Sequence, residues 1–274
     1  MIRILRLSRI LKASRSAALI ALYVWMTGAL WTVAAAPAAA QSETLRIGTE
    51  GAYPPFEFRD ASGNLKGFDI DIGNALCDAM HVRCVWIPQD FDGLIPALKA
   101  GKIDMIISSM SVTAERARQI DFSTPYYHSP SQLIALRSSG ITDDPALLKT
   151  RTIGVQSGTI HQDYLDQRLP DVQTKTYNTM EEAELDLEAG RVDAILADKL
   201  LMYDWLVKEG AAKGFDFAGK PIDDPILAGN IAVGVAKGNG ALKSRLDAAI
   251  GQILADGSYE HISERYFPFA IRPQ

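Results

Sequence analysis

With 274 residues, a formal net charge of −5, 47% hydrophobic and 22% charged residues, the chain has ample apolar material for real cores. Arg3, Arg6, Arg9, Lys12 and Arg15 all precede the first acid, Glu43, and loss of those five cations takes the net charge from −5 to −10. So acidic a body argues against nucleic acid or an anionic membrane surface as the partner.

The five cations lead into an apolar run, Ala17 to Ala36, then Pro37 and Ala38-Ala39-Ala40. A basic n-region, an apolar h-region and an A-x-A site describe a secretory signal peptide over residues 1–40, cleaved before Gln41. The run is also long enough to span a bilayer as an uncleaved anchor. The mature chain is expected in the periplasm, and its 234 residues suit two modest lobes or one large domain. Cys77 and Cys84 then meet an oxidising compartment, which favours a disulfide over a metal pair or free thiols. The four histidines lack metal-ligand spacing, and no cofactor motif is present.

Leu45 to Thr49 reads as a strand, and the following Tyr53-Pro54-Pro55-Phe56 cannot be helical, so Glu50 and Tyr53 sit in a stiff loop at its C-terminal end. Asp69 is placed to cap a helix whose Ile72, Ala75, Leu76, Ala79 and Met80 follow the helical stripe. Cys84 to Ile87 is a strand, and Gly93 to Ala100 a helix stopped by Gly101.

Next comes the buried run Ile103 to Ile107, ending in hydroxyls at Ser108, Ser109, Ser111 and Thr113 and a cation at Arg116. Thr113 is a good N-cap, so a strand ends where a helix begins, and free backbone N–H groups, hydroxyls and a guanidinium gather around one point. Such a point receives a carboxylate or phosphate, unless the stretch is a plain Ser/Thr loop with Arg116 in solvent.

The pattern restarts near Asp143: strand Thr152 to Val155, a Ser157-Gly158-Thr159 loop and cap, a helix from Ile160, strand Val172 to Tyr177 and helix Glu181 to Ala189. Lys99-Ala100-Gly101-Lys102-Ile103-Asp104 is echoed by Glu188-Ala189-Gly190-Arg191-Val192-Asp193, and the second strand of the echo ends at Asp198. Two similar lobes account for the echo. Strand–helix alternation predicts parallel sheets covered by helices. Ile231 to Val235 is a further strand, and helices carrying Leu242, Leu246, Ala249, Ile250 and Ile253 and then ending before Tyr266-Phe267 close the chain.

LRIGTEGAYPPFEF, GFDIDIGNALC, FDGLIPALKAGKID, SSMSVTAER, GVQSGT, EAGRVDAILAD and DGSYEHISERYF together resemble the periplasmic solute-binding proteins for polar amino acids, above all those for lysine/arginine/ornithine, histidine and arginine. The resemblance implies an α/β, two-lobed periplasmic binding protein of type II. Residues 41–134 and 233–274 would form lobe 1 and residues 135–232 lobe 2, with hinge strands near Leu133 to Arg137 and Ile231 to Val235. It implies a monomer that closes on an amino acid and docks on a membrane ABC transporter permease.

Residue by residue, the resemblance makes Arg116 the carboxylate-binding Arg and Asp198 the partner of the α-ammonium. Ser109 and Ser111 would bond the α-groups, and Ser108 would lie near the ligand side chain. Tyr53 and Phe91 would sandwich that side chain, with Glu50 and Asp69 near its far end. Gln156, Thr159 and His161 lie in the lobe-two loop that touches ligand, and the Cys77 to Cys84 spacing is bonded in some members. Glu50 and His161 stand where basic-ligand members often carry Asp and Gln, and Ile160 where they carry Thr. The expected function is binding of arginine, lysine or ornithine, with histidine, glutamine or an opine as runners-up. The alternatives are a cyclohexadienyl dehydratase on the same fold or a sensor reporting to a receptor.

Overall fold

A computed structural model describes residues 43–272; the signal peptide expected over residues 1–40 lies outside them. No helix among the described residues is long and apolar enough to cross a membrane.

The chain builds two five-stranded sheets in succession. Strands β1 (Thr44–Thr49), β4 (Arg83–Pro88) and β5 (Met105–Ile106) are parallel, with a short hairpin of β2 (Phe58–Arg59) and β3 (Leu65–Lys66) after β1. Helices α1 (Phe68–Ala79) and α2 (Leu94–Lys99) connect them, and α3 (Ala114–Gln119) follows. After β6 (Ile120–Phe122) and β7 (Tyr127–His128) the chain enters the second sheet at β8 (Ser131–Leu136). That sheet adds β9 (Thr152–Gln156), β10 (Gln173–Tyr177), β11 (Ala194–Asp198) and β12 (Phe215–Ala218), with α4 (Pro145–Leu148), α5 (Ile160–Arg168), α6 (Met180–Glu188) and α7 (Lys199–Trp205). The chain returns through β13 (Asn230–Ile231) to β14 (Gly234–Ala236) in the first sheet and ends with α8 (Gly240–Ala255) and α9 (Ser258–Ser263).

The strand orders, β4-β1-β5-β14-β6 and β10-β9-β11-β8-β12, are the same pattern. In each sheet the fourth strand has just arrived from the other lobe and runs antiparallel to both neighbours. The sheets are therefore mixed, not purely parallel as strand–helix alternation predicts. A chain that crosses between lobes twice must bring one strand back against the grain of each sheet.

The echo has a physical basis. Asp104 accepts the Arg46 N–H at 2.8 Å and its own N–H bonds Arg46 O at 2.8 Å; Asp193 does the same with Thr152, at 2.8 and 2.8 Å. In each lobe a helix stops at a left-handed glycine, Gly101 or Gly190, and the Asp three residues on ties the third strand to the start of the first.

The two crossings pair with each other, β13 antiparallel to β7. Leu133 to Arg137 is the expected hinge strand; its residues up to Leu136 are instead built into the second sheet, where Leu133 is in register with both Leu196 and Ala218. The expected boundary at 134/135 thus falls inside β8, and that at 232/233 falls between β13 and β14.

Ile47, Ile72, Leu76, Met105, Val235, Leu246 and Ile250 lie in the first lobe's core; Ile153, Val155, Leu165, Ala194 and Leu196 lie in the second's. The α1 stripe is as the periodicity predicts, but its N-cap is Gly67, not Asp69. Gly67 has φ +127, and a Cβ there would run into the Phe56 carbonyl. The helix therefore begins two residues earlier than its acid suggests, and Asp69 is drawn inward. Cys77 and Cys84 form a disulfide, Cα–Cα 6.2 Å, tying the end of α1 to β4.

Candidate ligand-binding site

The C-terminal ends of equivalent strands face each other across the lobes, and between them lies a narrow cavity. Eleven of the twelve expected residues line it: Glu50, Tyr53, Phe91, Ser108, Ser109, Ser111, Arg116, Gln156, Thr159, His161 and Asp198. Ile160 completes the wall; it marks the departure at which an apolar side chain replaces a hydroxyl.

Three hydrogen bonds close the lobes over it. Tyr53 OH donates to Asp198 Oδ2 at 2.6 Å, Gln156 Nε2 to Glu50 Oε1 at 2.6 Å, and Arg116 Nη2 to Gly158 O at 3.1 Å. The conformation is the closed one.

Arg116 sits in the first turn of α3, which Thr113 caps by accepting the Arg116 N–H at 3.1 Å. Its Nη1 donates to Ser111 O at 2.9 Å, and its guanidinium carbon lies 5.4 Å from the Phe91 ring centroid. Burial lowers its pKa only to about 10, so it stays charged at neutral pH. Phe91 thus forms the floor under the guanidinium.

Asp198 ends β11 and occupies the N-cap place of α7, yet its side chain makes no cap bond. Ser129 Oγ accepts the Leu200 N–H at 3.3 Å instead, which leaves the carboxylate free to turn into the cavity. There Oδ2 takes the Tyr53 hydrogen while Oδ1, fully buried, has no protein hydrogen-bond partner. Burial lifts this carboxyl to about 7, against the lowering effects of Tyr53 and Arg116. An orphaned buried carboxylate oxygen costs roughly 1–3 kcal/mol unless a donor in the cavity satisfies it.

Glu50, just beyond β1, is also lifted by burial to about 7, with Gln156 opposing and Asp90 and Asp92 adding to the rise. Gln156 is itself braced on Asn178 O at 3.0 Å. His161 Nε2 lies 3.0 Å from Ser131 Oγ and 4.0 Å from Asp198 Oδ1. Burial and the Arg116 charge push its pKa down to about 3, so it faces Asp198 as a neutral ring and forms no ion pair. Thr159 caps α5 and donates to Gln156 O at 2.7 Å.

Asp69 stands apart from the other expected residues. It is fully buried behind the Ser108-Ser109 turn, accepting the Ser109 N–H at 2.6 Å and the Tyr126 hydroxyl at 2.8 Å. The early start of α1 carries it beneath the loop rather than to the cavity wall. Beside it is Glu57, absent from the sequence expectation, also fully buried and accepting the Ser108 hydroxyl at 2.7 Å.

The cavity thus carries a guanidinium on the first lobe and a half-satisfied carboxylate on the second, opposite charges on facing walls, with Glu50 also in its lining. Two mixed sheets of one strand order, joined by paired crossings and closed on such a cavity, define a two-lobed periplasmic binding protein of type II.

The chain belongs to the bacterial extracellular solute-binding proteins, family 3, whose model matches residues 45–269. It is 41% identical over 243 residues to the L-arginine-binding protein of Pseudomonas aeruginosa, covering 88% of this chain and 94% of that one. It is 40% identical over 243 residues to the lysine/arginine/ornithine-binding periplasmic protein of Escherichia coli, with 88% and 94% covered. Among solved structures, an ancestral arginine-binding protein bound to arginine superposes with TM-score 0.76 at 34% identity, covering 83% of this chain and 99% of that one.

Proposed function

We propose that the protein is the periplasmic substrate-binding component of an amino acid ABC transporter and holds arginine, lysine or ornithine between its lobes, with histidine as a weaker ligand. The observation that carries this reading is the orphaned Asp198 Oδ1, on the opposite lobe from Arg116. A free amino acid brings a carboxylate for the Arg116 fork and an ammonium for Asp198 in one small molecule. Glu50, with its carboxyl lifted to about 7, then favours a ligand with a second positive charge at the far side. Tyr53 and Phe91 flank the path between, and Ser108, Ser109, Ser111, Gln156, Thr159 and His161 complete the walls.

In this reading residues 1–40 direct export, residues 43–128 and 231–272 form lobe 1, and residues 131–218 form lobe 2. The crossings through β7 and β13 are the hinge, and the closed monomer docks on a membrane permease. Binding involves no turnover. One structural neighbour, an ancestral amino acid-binding protein described as a precursor of cyclohexadienyl dehydratase, has TM-score 0.74 at 29% identity, so incubation with prephenate or arogenate is the matching control.

Titration calorimetry against a panel of amino acids tests the proposal. Tight binding of arginine, lysine or ornithine is the expected result; tight glutamate binding with none for arginine overturns it.

A further inference from the structure

Behind the Ser108-Ser109 turn, out of reach of the cavity, two acids face each other. Glu57 and Asp69 are both fully buried, each with 0% relative accessibility, and the Ser109 hydroxyl lies within reach of both, 3.4 Å from Glu57 Oε2 and 3.2 Å from Asp69 Oδ2. Two carboxylates cannot both stay ionised in such a place, so the pair holds one proton between them. Burial raises both carboxyls, and the Asp69 charge adds to the rise at Glu57, so the shared proton is held by the pair.

The pair takes the hydrogens of the turn in front of it. Ser108 Oγ donates to Glu57 Oε1 at 2.7 Å and accepts the Glu50 N–H at 2.9 Å. Ser109 donates its N–H to Asp69 Oδ2 at 2.6 Å, and its Oγ lies 3.2 Å from the same oxygen and 3.4 Å from Glu57 Oε2. That grip holds Ser109 in a left-handed conformation, φ +49, which a non-glycine residue adopts only under constraint. A serine hydroxyl has one hydrogen and two lone pairs. With the hydrogen of Ser108 given backward and one lone pair used by Glu50 N–H, the remaining lone pair is what Ser108 can offer to the cavity.

We infer that the buried Glu57–Asp69 pair is a remote specificity element: by drawing the serine hydrogens away from the cavity, it makes the Ser108 side of the site an acceptor wall that selects ligands bearing N–H donors. Glu57 is thus a positioning residue, acting on the ligand through Ser108. The inference rests on the basic amino acid reading. The groups facing the pair are Glu50 and Tyr53 from the loop after β1, Tyr126 and Tyr127 from the segment before β8, and Tyr259 from α9. Burial raises all four phenols, so they remain neutral neighbours.

Arginine and citrulline have nearly one shape, but citrulline carries a urea oxygen, an acceptor, in place of a guanidinium nitrogen. The affinity ratio of arginine to citrulline therefore reads which way Ser108 points. In Glu57→Met, or Glu57→Ala should the first not fold, Ser108 is free to turn its hydrogen toward a urea oxygen, and the ratio is expected to fall at least about fivefold. Glu57→Gln keeps a carbonyl for Ser108 and an N–H for Asp69, and is expected to hold the ratio within about twofold of the parent. A ratio unchanged in the Met or Ala variant, or lost equally in Gln, overturns the inference; a parent that binds no basic amino acid fails the earlier reading instead. An infrared difference spectrum between the parent and Glu57→Gln gives a second measure. A protonated-carboxyl C=O band present in the parent and missing from the variant is expected, and no such band overturns the shared proton.

Discussion

Tyr53 and Asp198, 145 residues apart in sequence and on opposite lobes, meet through a 2.6 Å hydrogen bond from the phenol to Oδ2. The bond fixes the carboxylate so that its other oxygen, Oδ1, points at the cavity without a protein partner. Tyr53→Phe removes this bond and leaves the ring, so arginine affinity is expected to fall about five- to tenfold, the net worth of one ordinary hydrogen bond at about 1 kcal/mol. Asp198→Ala removes the ammonium's partner as well and is expected to lose more than about tenfold. Calorimetry on both variants checks the order. An Asp198→Ala variant that binds like the parent removes this carboxylate from the site.

Arg116 makes a prediction about shape rather than charge. Ser111 O holds Nη1 and the flat face lies over Phe91, both within the first lobe, so the cation is oriented before a carboxylate meets it, and Nη2 reaches Gly158 O only on closure. Lysine keeps the charge but has no fork and no plane. Arg116→Lys is therefore expected to recover little of the affinity lost in Arg116→Ala, both falling at least about tenfold. Recovery to within about twofold by lysine would show that only the charge matters.

The acids set a pH dependence. Burial in the closed form lifts both Glu50 and Asp198 to about 7, well above their ordinary values near 4.5 and 3.8. A carboxyl raised on folding favours the folded form fully below its ordinary value, and that contribution is lost as pH rises through the raised one, here about 7. In the closed form a cationic ligand supplies the missing charge in place of protons, so loading that form between about pH 5 and 7 releases protons. The thermal shift produced by saturating arginine is expected to be larger at about pH 8 than at about pH 5.5. Calorimetry at about pH 6.5 in buffers of different ionisation heat counts the protons directly, and a count of zero refutes the linkage.

Much of this geometry is legible in the chain because it is local. The Thr113 cap and the placement of Arg116 one turn on follow from a strand ending at a helix start. The paired Gly101 to Asp104 and Gly190 to Asp193 junctions follow from the same local turn being used twice. What stays hidden depends on contacts between distant segments. Glu57 reads as a loop acid in PPFEF, and only the return of α1 beneath it, through Gly67, buries it against Asp69. Likewise β6 and β12 are short edge strands of three and four residues whose pairing is decided by β14 and β8, arriving from the other lobe. Asp198 shows both sides: its place at the end of a strand is readable, whereas Ser129 taking over the cap is not.

Gly158 is where closure is tightest. It has φ +72, and a Cβ placed on it would lie 2.8 Å from Asp92 Cβ and 3.1 Å from Asp92 Cα, on the facing lobe. Its carbonyl also accepts the Arg116 bond that spans the lobes. Alanine at this position meets backbone rather than a flexible side-chain end, and the left-handed conformation adds strain of roughly 1 kcal/mol. Within its own lobe the loop is open to change, since the clash arises only when the two halves meet. Gly158→Ala is therefore expected to cost the protein without ligand no more than the left-handed strain, about 1 kcal/mol, in urea or heat unfolding. It should weaken arginine binding about tenfold or more, because the bound state requires the closed form. Small-angle scattering with saturating arginine reports closure, and a variant that compacts and binds as the parent does would mean that the lobes do not meet at Gly158 and Asp92.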